Sequence, residues 1–320
     1  MNPKVSIIIL NWNRLDDTLE CLDSCLQLNY PNYEILVYDQ GSDRNEAEIV
    51  CQKYQAYPQI KSIRLDKNYG FAQGGNLGIN EAFKDSEVKY VVCLNNDTVI
   101  EPDFVTKLVE TARQGFDMVG AQVFNYTDHN QVDNFGMEVT ASMLTFNRLN
   151  FQSTLFCPSG CAVLYSRQLL EQVKLENNYF DPDFFCYAED WDLGFRALLQ
   201  GFKPAIAETK VFHKGSASTS KMSGFSIYHT YRNSVWVILK NLPTKLLFKY
   251  ILKIKLGHWA IILKNTLRGD LKLILKAYIC SWSRIFIVLK QRQLVQLNRK
   301  ITDQELEKFI NSKIFSKDYL

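Results

Sequence analysis

The most constraining feature of this sequence is an alternation of short strand-like runs with segments that have helical spacing. The strand-like runs occupy residues 5–10, 34–38, 60–65 and 90–94, and the segments between them are 15–28, 43–56 and 72–84. The runs at 5–10 and 90–94 are the most apolar, which is typical of a strand buried on both faces. Strands that alternate with helices predict an α/β fold with a doubly wound, mostly parallel sheet.

Polar side chains follow three of the predicted strands. Asn11, Asp39 and Asp97 stand where these strands end, and ligands of such sheets bind at the carboxyl ends of the strands. Asp97, preceded by Asn95 and Asn96, could hold Mg²⁺ or Mn²⁺ together with a phosphate group. A turn with an Asx cap is the structural alternative for the same three residues.

A second group of polar residues lies in the less regular stretch 120–232. Glu189, Asp190 and Asp192 precede Leu193 and a leucine pair, which predicts acids at the start of a helix, where its dipole stabilises negative charge. His213 follows a short apolar strand. A lone histidine is more often structural, but together with Asp97 it becomes a candidate metal ligand.

A glycine-rich segment, KNYGFAQGGNLGI, runs into the third predicted helix. Glycines let a backbone approach a phosphate, and a helix N-terminus supplies free N–H groups. The spacing does not fit the dinucleotide-binding fingerprint. A tight turn therefore remains the alternative to a phosphate-binding loop.

Charge divides the chain into an acidic body and a basic, apolar region. Residues 1–233 hold 20 basic and 29 acidic side chains, whereas residues 234–302 hold 14 basic ones and a single acid, Asp270. No stretch reaches the ~18 uncharged apolar residues of a membrane-spanning helix. We expect residues 236–292 to lie on an anionic membrane surface. Helices packed on the body or on a second subunit are the alternative, and the many apolar residues argue against nucleic acid.

Seven segments, taken in order, resemble the inverting nucleotide-sugar glycosyltransferases of family 2, and are most similar to their bacterial rhamnosyltransferase-like group. They are VSIIILNWNR, EILVYDQGSD, KNYGFAQGGNLG, YVVCLNNDT, CPSGCAVLYSR, FFCYAEDWDLGFR and VFHKGSAS. The resemblance covers residues 3–233. It implies a GT-A fold with a nucleotide-sugar half, about 1–120, and an acceptor half, about 121–233, followed by a helical region at 234–320.

The resemblance also implies roles for individual residues. Asp190 would be the catalytic base, with Glu189 and Gly160 on the acceptor side or supporting the base. Asp97 would be the ligand of a Mg²⁺ or Mn²⁺ ion on the donor diphosphate, and His213 joins it. The nucleotide-sugar side would be lined by Asn11, Trp12, Asp39, Asn68, Asn76, Asn95 and Asn96.

The resulting expectation is a glycosyltransferase that takes a sugar, rhamnose or another hexose, from a dTDP-, UDP- or GDP-sugar. Its acceptor would be a glycan or a lipid-linked saccharide in cell-surface polysaccharide synthesis. The first ten residues do not form a signal-peptide pattern, so we expect a cytoplasmic, peripheral membrane protein. A nucleotidyltransferase and a non-catalytic, glycan-binding scaffold are the alternatives.

Overall fold

The four strand-like runs form one end of a nine-stranded sheet in the computed structural model, which describes residues 2–215 and 224–316. Three short strands form a second, smaller sheet. In chain order the strands are β1 (Lys4–Asn11), β2 (Tyr33–Asp39), β3 (Ile60–Arg64), β4 (Val88–Asn95), β5 (Thr98–Ile100), β6 (Met118–Asn125), β7 (Val132–Asn134), β8 (Met137–Thr140), β9 (Thr145–Asn147), β10 (Ala162–Ser166), β11 (Pro204–His213) and β12 (Ile310–Asn311).

The helices lie between and after these strands. In chain order they are α1 (Leu15–Cys25), α2 (Glu46–Lys53), α3 (Gly70–Ala82), α4 (Phe104–Ala112), α5 (Arg167–Val173), α6 (Glu189–Leu199), α7 (Gly224–Asn241), α8 (Thr244–Leu267), α9 (Leu271–Ser281), α10 (Ile285–Leu297) and α11 (Asp303–Glu307). Two single-turn 3₁₀ helices, Pro182–Phe184 and Trp282–Arg284, precede α6 and α10.

The large sheet has the order β3-β2-β1-β4-β10-β6-β11-β5, and β7 pairs with β6. Its first four strands are parallel, β10 runs antiparallel to its neighbours β4 and β6, and β6 and β11 are again parallel. The predicted α/β sheet is therefore confirmed, with helices on both faces. Alternate residues of β1 show why: Ile7 and Ile9 pack in one apolar cluster with Leu22 of α1, whereas Ile8 packs in another with Ile79 of α3.

The helical region after the sheet begins earlier than the predicted boundary at 233/234, because that position lies inside α7. Helices α9 and α10 pack on α7, and β12 adds to the small sheet beside β8. Among residues 2–215 and 224–316, no helix is both long enough and apolar enough to cross a membrane.

A buried ion cluster joins α7 to α6. The ammonium group of Lys240, which is 0% exposed, lies 2.7 Å from Asp181 and 2.9 Å from Asp192. Asp192 also accepts hydrogen bonds from Arg196 and Asn241. Two cations thus face two carboxylates. Burial opposes ionisation of Asp181, but the charge of Lys240 outweighs it and lowers the pKa of Asp181.

We expect Lys240→Met to destabilise the protein by about 3–5 kcal/mol, because it leaves two carboxylates buried without their shared cation. Urea unfolding followed by circular dichroism measures the change. Lys245→Met, at an exposed position of α8, is the matched control and should change the free energy of unfolding by less than about 0.5 kcal/mol. Equal unfolding midpoints for the two variants would show that the cluster contributes nothing.

Candidate active site

The parallel strands bring three of the predicted polar residues to one edge of the sheet. In the strand register, Asn11 of β1 stands beside Asp39 of β2, and Leu10 stands beside Asn95 of β4. Trp12 follows directly and is 47% exposed. This edge therefore combines an open aromatic ring with buried polar groups, which suits a nucleobase and its ribose.

Asp39 is fully buried, and its carboxylate is oriented by three donors. It accepts hydrogen bonds from the backbone N–H groups of Ser42 and Ala47, and it lies 2.8 Å from the guanidinium group of Arg64 at the end of β3. A carboxylate can accept about four hydrogen bonds. Asp39 therefore keeps capacity for a ring N–H, and Arg64 adds a positive charge that the sequence analysis did not identify.

Asn11 lies at the same edge as Asp39. It is 1% exposed, donates to Glu46 and accepts from Thr18, and its role in lining the nucleotide pocket stays a prediction. Asn96 donates to the same Thr18 hydroxyl. These side-chain hydrogen bonds connect the end of β1 to α1, α2 and the turn after β4. Asn11 and Asn96 therefore stabilise the backbone at this edge of the sheet.

The glycine-rich segment differs from its prediction as a phosphate loop. A side chain at Gly70 would meet the carbonyl oxygen of Phe185, and one at Gly78 would meet Ile8 of β1. The glycines therefore allow α3 to pack closely on the sheet and on the loop before α6. Asn68 caps the turn by accepting from the N–H of Gly70.

Asn76 lies inside α3. It is 1% exposed, and its amide bonds to backbone groups of Tyr179 and Phe180. These hydrogen bonds anchor the segment that leads to α6, and the expected place of Asn76 beside the donor stays a prediction.

Asp97 and His213 come together as predicted. The strand β5, which follows Asp97, pairs with the end of β11, and this places the Asp97 carboxylate 3.3 Å from Nε2 of His213. Nδ1 of His213 lies 3.0 Å from the carboxylate of Asp133. Burial opposes protonation of His213, but Cys161, Asp133 and Asp97 outweigh it and raise the pKa of the imidazole.

The Asp97–His213 pair fits a divalent cation that is completed by other ligands. Two neighbouring ligands of an octahedral ion bound at about 2.1 Å lie roughly 3 Å apart, close to the separation seen here. Asp133 can hold Nδ1–H and so direct the lone pair of Nε2 to the ion. Within the described residues no group of three or more His, Cys, Asp or Glu side chains is arranged around a metal position. The remaining ligands would be diphosphate oxygens and water.

The acid pair lies at the start of α6, as predicted. One oxygen of the half-buried Asp190 accepts a 2.9 Å hydrogen bond from the N–H of Gly160, and the other accepts from the N–H of Trp191. Glu189 is buried, and its Oε2 has no hydrogen-bond partner within the described part of the chain. Gly160 thus lies against Asp190, where the sequence analysis placed it.

The two acids have different electrostatic environments. Burial and the adjacent Asp190 carboxylate raise the pKa of Glu189 well above its usual range. Burial also raises the pKa of Asp190, but the N–H groups of Gly160 and Trp191 oppose that rise. Paired acids with different pKa values divide the roles between them. The rise in pKa is therefore larger for Glu189 than for Asp190, which favours Asp190 as the member of the pair that carries the negative charge.

Residues 160 and 161 connect the acid pair to the candidate cation site. The N–H of Gly160 binds Asp190. The carbonyl oxygen of the next residue, Cys161, accepts a hydrogen bond from the N–H of Asn95, two residues before Asp97. The segment before β10 therefore links the start of α6 to the end of β4 and to the Asp97–His213 pair.

The loop before α6 is strained and is held by α7. Phe185, Tyr187 and Ala188 have φ values of 64°, 70° and 68°, a region that costs energy for residues other than glycine. The side-chain amide of Asn233 lies 2.7–3.1 Å from the carbonyl oxygens of residues 184, 186 and 187. Arg232 binds the carbonyl oxygens of residues 183 and 184.

Three residues of this site were missed by sequence reasoning: Arg64, Asp133 and Asn233. Arg64 had a usable signal, because a basic residue at the carboxyl end of β3 must lie beside the end of β2. Asp133 and Asn233 had none. Asp133 contacts His213, which is 80 positions away in the chain. Asn233 contacts Phe184, which is 49 positions away.

Comparisons with known proteins agree on the class of protein. The family described as Glycosyl transferase family 2 matches residues 6–174. A curated relative, the poly-beta-1,6-N-acetyl-D-glucosamine synthase of Staphylococcus epidermidis, is 26% identical over 196 residues. That match covers 59% of this chain and 45% of the synthase, so the chain spans less than half of that relative.

Two solved structures show the same fold. S. aureus TarS residues 1–349 in complex with UDP-GlcNAc has a TM-score of 0.60 at 18% identity, covering 96% of this chain and 89% of that one. The mannosyltransferase PcManGT from Pyrobaculum calidifontis, with GDP-Man and Mn²⁺, has a TM-score of 0.55 at 15% identity, covering 96% and 86%. Together with the observed sheet order, these likenesses confirm the GT-A-like architecture followed by a helical region.

We expect Glu189→Gln to change how stability depends on pH. Because the folded pKa of Glu189 is raised, the folded protein holds a proton that the unfolded chain releases above about pH 4.3, and stability falls as pH rises. Glutamine removes this contribution. Relative to wild type, the variant should gain stability between roughly pH 5 and 8, by up to about 1.4 kcal/mol per pH unit.

The measurement is urea unfolding of both proteins across that pH range. Asp190 is present in both, so its own titration cancels to first order. The exposed Glu87→Gln is the control and should follow the wild-type pH profile. Parallel profiles for Glu189→Gln and wild type would show that the Glu189 carboxyl is ordinary in the folded protein.

Proposed function

The chain belongs to glycosyltransferase family 2, and from this premise we propose that it transfers a hexose, rhamnose or another, from a nucleoside-diphosphate sugar to a hydroxyl of a glycan or lipid-linked saccharide. The product would have the opposite anomeric configuration to the donor. The observation that carries the proposal is the connection between Asp190 and the Asp97–His213 pair: Gly160 binds Asp190, and the adjacent Cys161 accepts a hydrogen bond from Asn95, two residues before Asp97.

Asp190 performs the proton transfer in this proposal. The acceptor oxygen forms a bond to the anomeric carbon while the bond from that carbon to the diphosphate breaks, and the hydroxyl proton passes to the free electron pair of Asp190. Gly160 and Trp191 hold the carboxylate in place through their N–H groups. A neutral Glu189 beside it avoids a second negative charge in the same buried position.

Asp97 and His213 would hold the divalent cation, Mg²⁺ or Mn²⁺, next to the donor diphosphate. Such an ion neutralises the charge that develops on the leaving group. The geometry that supports this is the 3.3 Å approach of the two side chains and the Asp133 carboxylate behind His213.

The nucleotide of a dTDP-, UDP- or GDP-sugar would lie at the edge formed by the ends of β1 and β2. Trp12 offers an exposed ring for stacking, and Asp39 offers an oriented carboxylate for a ring N–H. Arg64 balances the charge of Asp39. Asn68 and Asn95 border the same edge, at the turn into α3 and at the end of β4.

We expect Asp190→Asn to reduce transfer by about 10²–10⁴-fold, because the amide cannot accept the acceptor proton. Donor binding should be unchanged, since Asp190 contacts the acceptor side. Product formation and donor titration are measured separately. Asp270→Asn, at the turn between α8 and α9, is the control and should keep wild-type activity. Full activity of Asp190→Asn would remove it from the base role, and an inactive wild type with all donors would favour the non-catalytic scaffold.

We expect Asp133→Asn to raise the Mn²⁺ concentration needed for half-maximal transfer by about 10–100-fold, the usual effect of losing a carboxylate that orients a metal-bound histidine. Activity at saturating Mn²⁺ should recover. Asp128→Asn, at an exposed acid in the loop before β7, should leave the Mn²⁺ requirement unchanged. If Asp133→Asn has the wild-type Mn²⁺ requirement, His213 is not a ligand oriented in this way.

A further inference from the structure

Helix α8 has two apolar faces, and only one of them is covered. The inner face packs on the body through Leu246, Tyr250, Ile254 and Ile261, which are all buried. The opposite face carries a row of large apolar side chains that are 59–81% exposed: Phe248, Leu252, Leu256, Trp259, Leu263 and Leu267. Successive members are three or four residues apart, so they lie on one side of the helix.

Helix α9 and the start of α10 repeat this arrangement. Ile274 and Ala277 face inward, while exposed apolar side chains recur at the same spacing on the other side. They are Leu271, Leu275, Ile279, Trp282 and Phe286. We refer to these five residues and the six of α8 together as the outer stripe.

The inner faces of α8 and α9 meet in one apolar cluster, which fixes the side on which the outer stripe lies. Ile261 of α8 and Ile274 of α9 pack there with Leu144 and Ile227, and His258 of α8 bonds to the hydroxyl of Tyr278 of α9. The two helices form a hairpin around Gly269. Their exposed apolar residues therefore point away from the body on the outer side of this hairpin.

The outer stripe is too large to be incidental surface. Phe248 and Leu267 are 19 residues apart, so at ~1.5 Å per residue the α8 portion is almost 30 Å long. Contiguous exposed apolar patches of this kind mark interaction surfaces. The outer stripe is therefore a candidate interaction surface.

Charge identifies the partner. Residues 244–281 contain eight basic side chains and one acid, Asp270. Lys245, Lys255, Arg268 and Lys272 are exposed. No salt bridge joins these four to an acid within residues 2–215 and 224–316. A second copy of the chain would bring the same positive charges against each other. An anionic lipid surface accepts both the apolar side chains and the cations.

We propose that the outer stripe is a membrane-docking surface on which α8 and α9 lie in the plane of an anionic lipid interface. The leucines and aromatic rings enter the headgroup boundary, and the exposed lysines and arginine bind lipid phosphates. This inference does not rest on the transfer reaction. It also explains how the enzyme would reach an acceptor that is carried on a lipid.

The test is sedimentation of the full-length protein with sucrose-loaded vesicles, either of phosphatidylcholine alone or with about one third phosphatidylglycerol. Wild type should bind the anionic vesicles, bind phosphatidylcholine at least tenfold more weakly, and lose binding as salt screens the charges. Leu252→Gln/Trp259→Gln should lose at least tenfold in affinity for the anionic vesicles. Both positions are exposed, so the melting temperature should not change.

The matched control is Tyr57→Gln/Leu149→Gln, which also removes one aromatic and one leucine side chain that are exposed, but outside the outer stripe. It should bind vesicles as wild type does. Failure of wild type to bind either vesicle overturns the proposal. So does equal loss in both double variants. A wild-type dimer that becomes a monomer in Leu252→Gln/Trp259→Gln, without vesicle binding, would assign the outer stripe to self-association instead.

Discussion

The buried contact between Lys240 and the carboxylates of Asp181 and Asp192 is the constraint on which the rest of the site depends. An uncompensated charge at this depth is too costly to persist, so the three side chains must be assembled together. Lys240 belongs to α7, Asp192 belongs to α6, and Asp181 begins the loop between Phe180 and α6. The cluster therefore fixes α6 against α7, and with it the position of Glu189 and Asp190.

The same helix α7 holds the loop that leads to the acid pair. Left-handed residues at 185, 187 and 188 cost energy, and the amide of Asn233 offsets this cost by binding the loop carbonyls. The helical region thus supports Glu189 and Asp190, while the outer side of α8 and α9 is exposed. One region can both support this loop and present an apolar surface, because different helices do so. Helix α7 contacts the loop, and α8 and α9 carry the exposed apolar residues.

Sequence patterns predicted the parts of this protein that are determined locally. Short strand-like runs predicted the parallel strands, and the topology of such a sheet then placed Asn11, Asp39 and Asp97 at one edge. The acids at the start of α6 were visible because the helix begins at them. Residues whose roles come from distant contacts were not predictable in this way. Asn76 has an ordinary place in α3, and only the fold shows that it bonds to residues 179 and 180. Asp133 lies in the three-residue strand β7, which has no recognisable sequence pattern, and only strand pairing brings His213 to it.

The central claim is that this edge of the sheet binds a nucleoside diphosphate together with a divalent cation. Thermal unfolding with UDP, dTDP, GDP and CDP, each with and without Mn²⁺, tests it most directly, since a ligand of the folded state raises the melting temperature by mass action. The account predicts a rise for one nucleotide that requires Mn²⁺. Folded protein whose melting temperature is unchanged by all four nucleotides, with or without the metal, would contradict it.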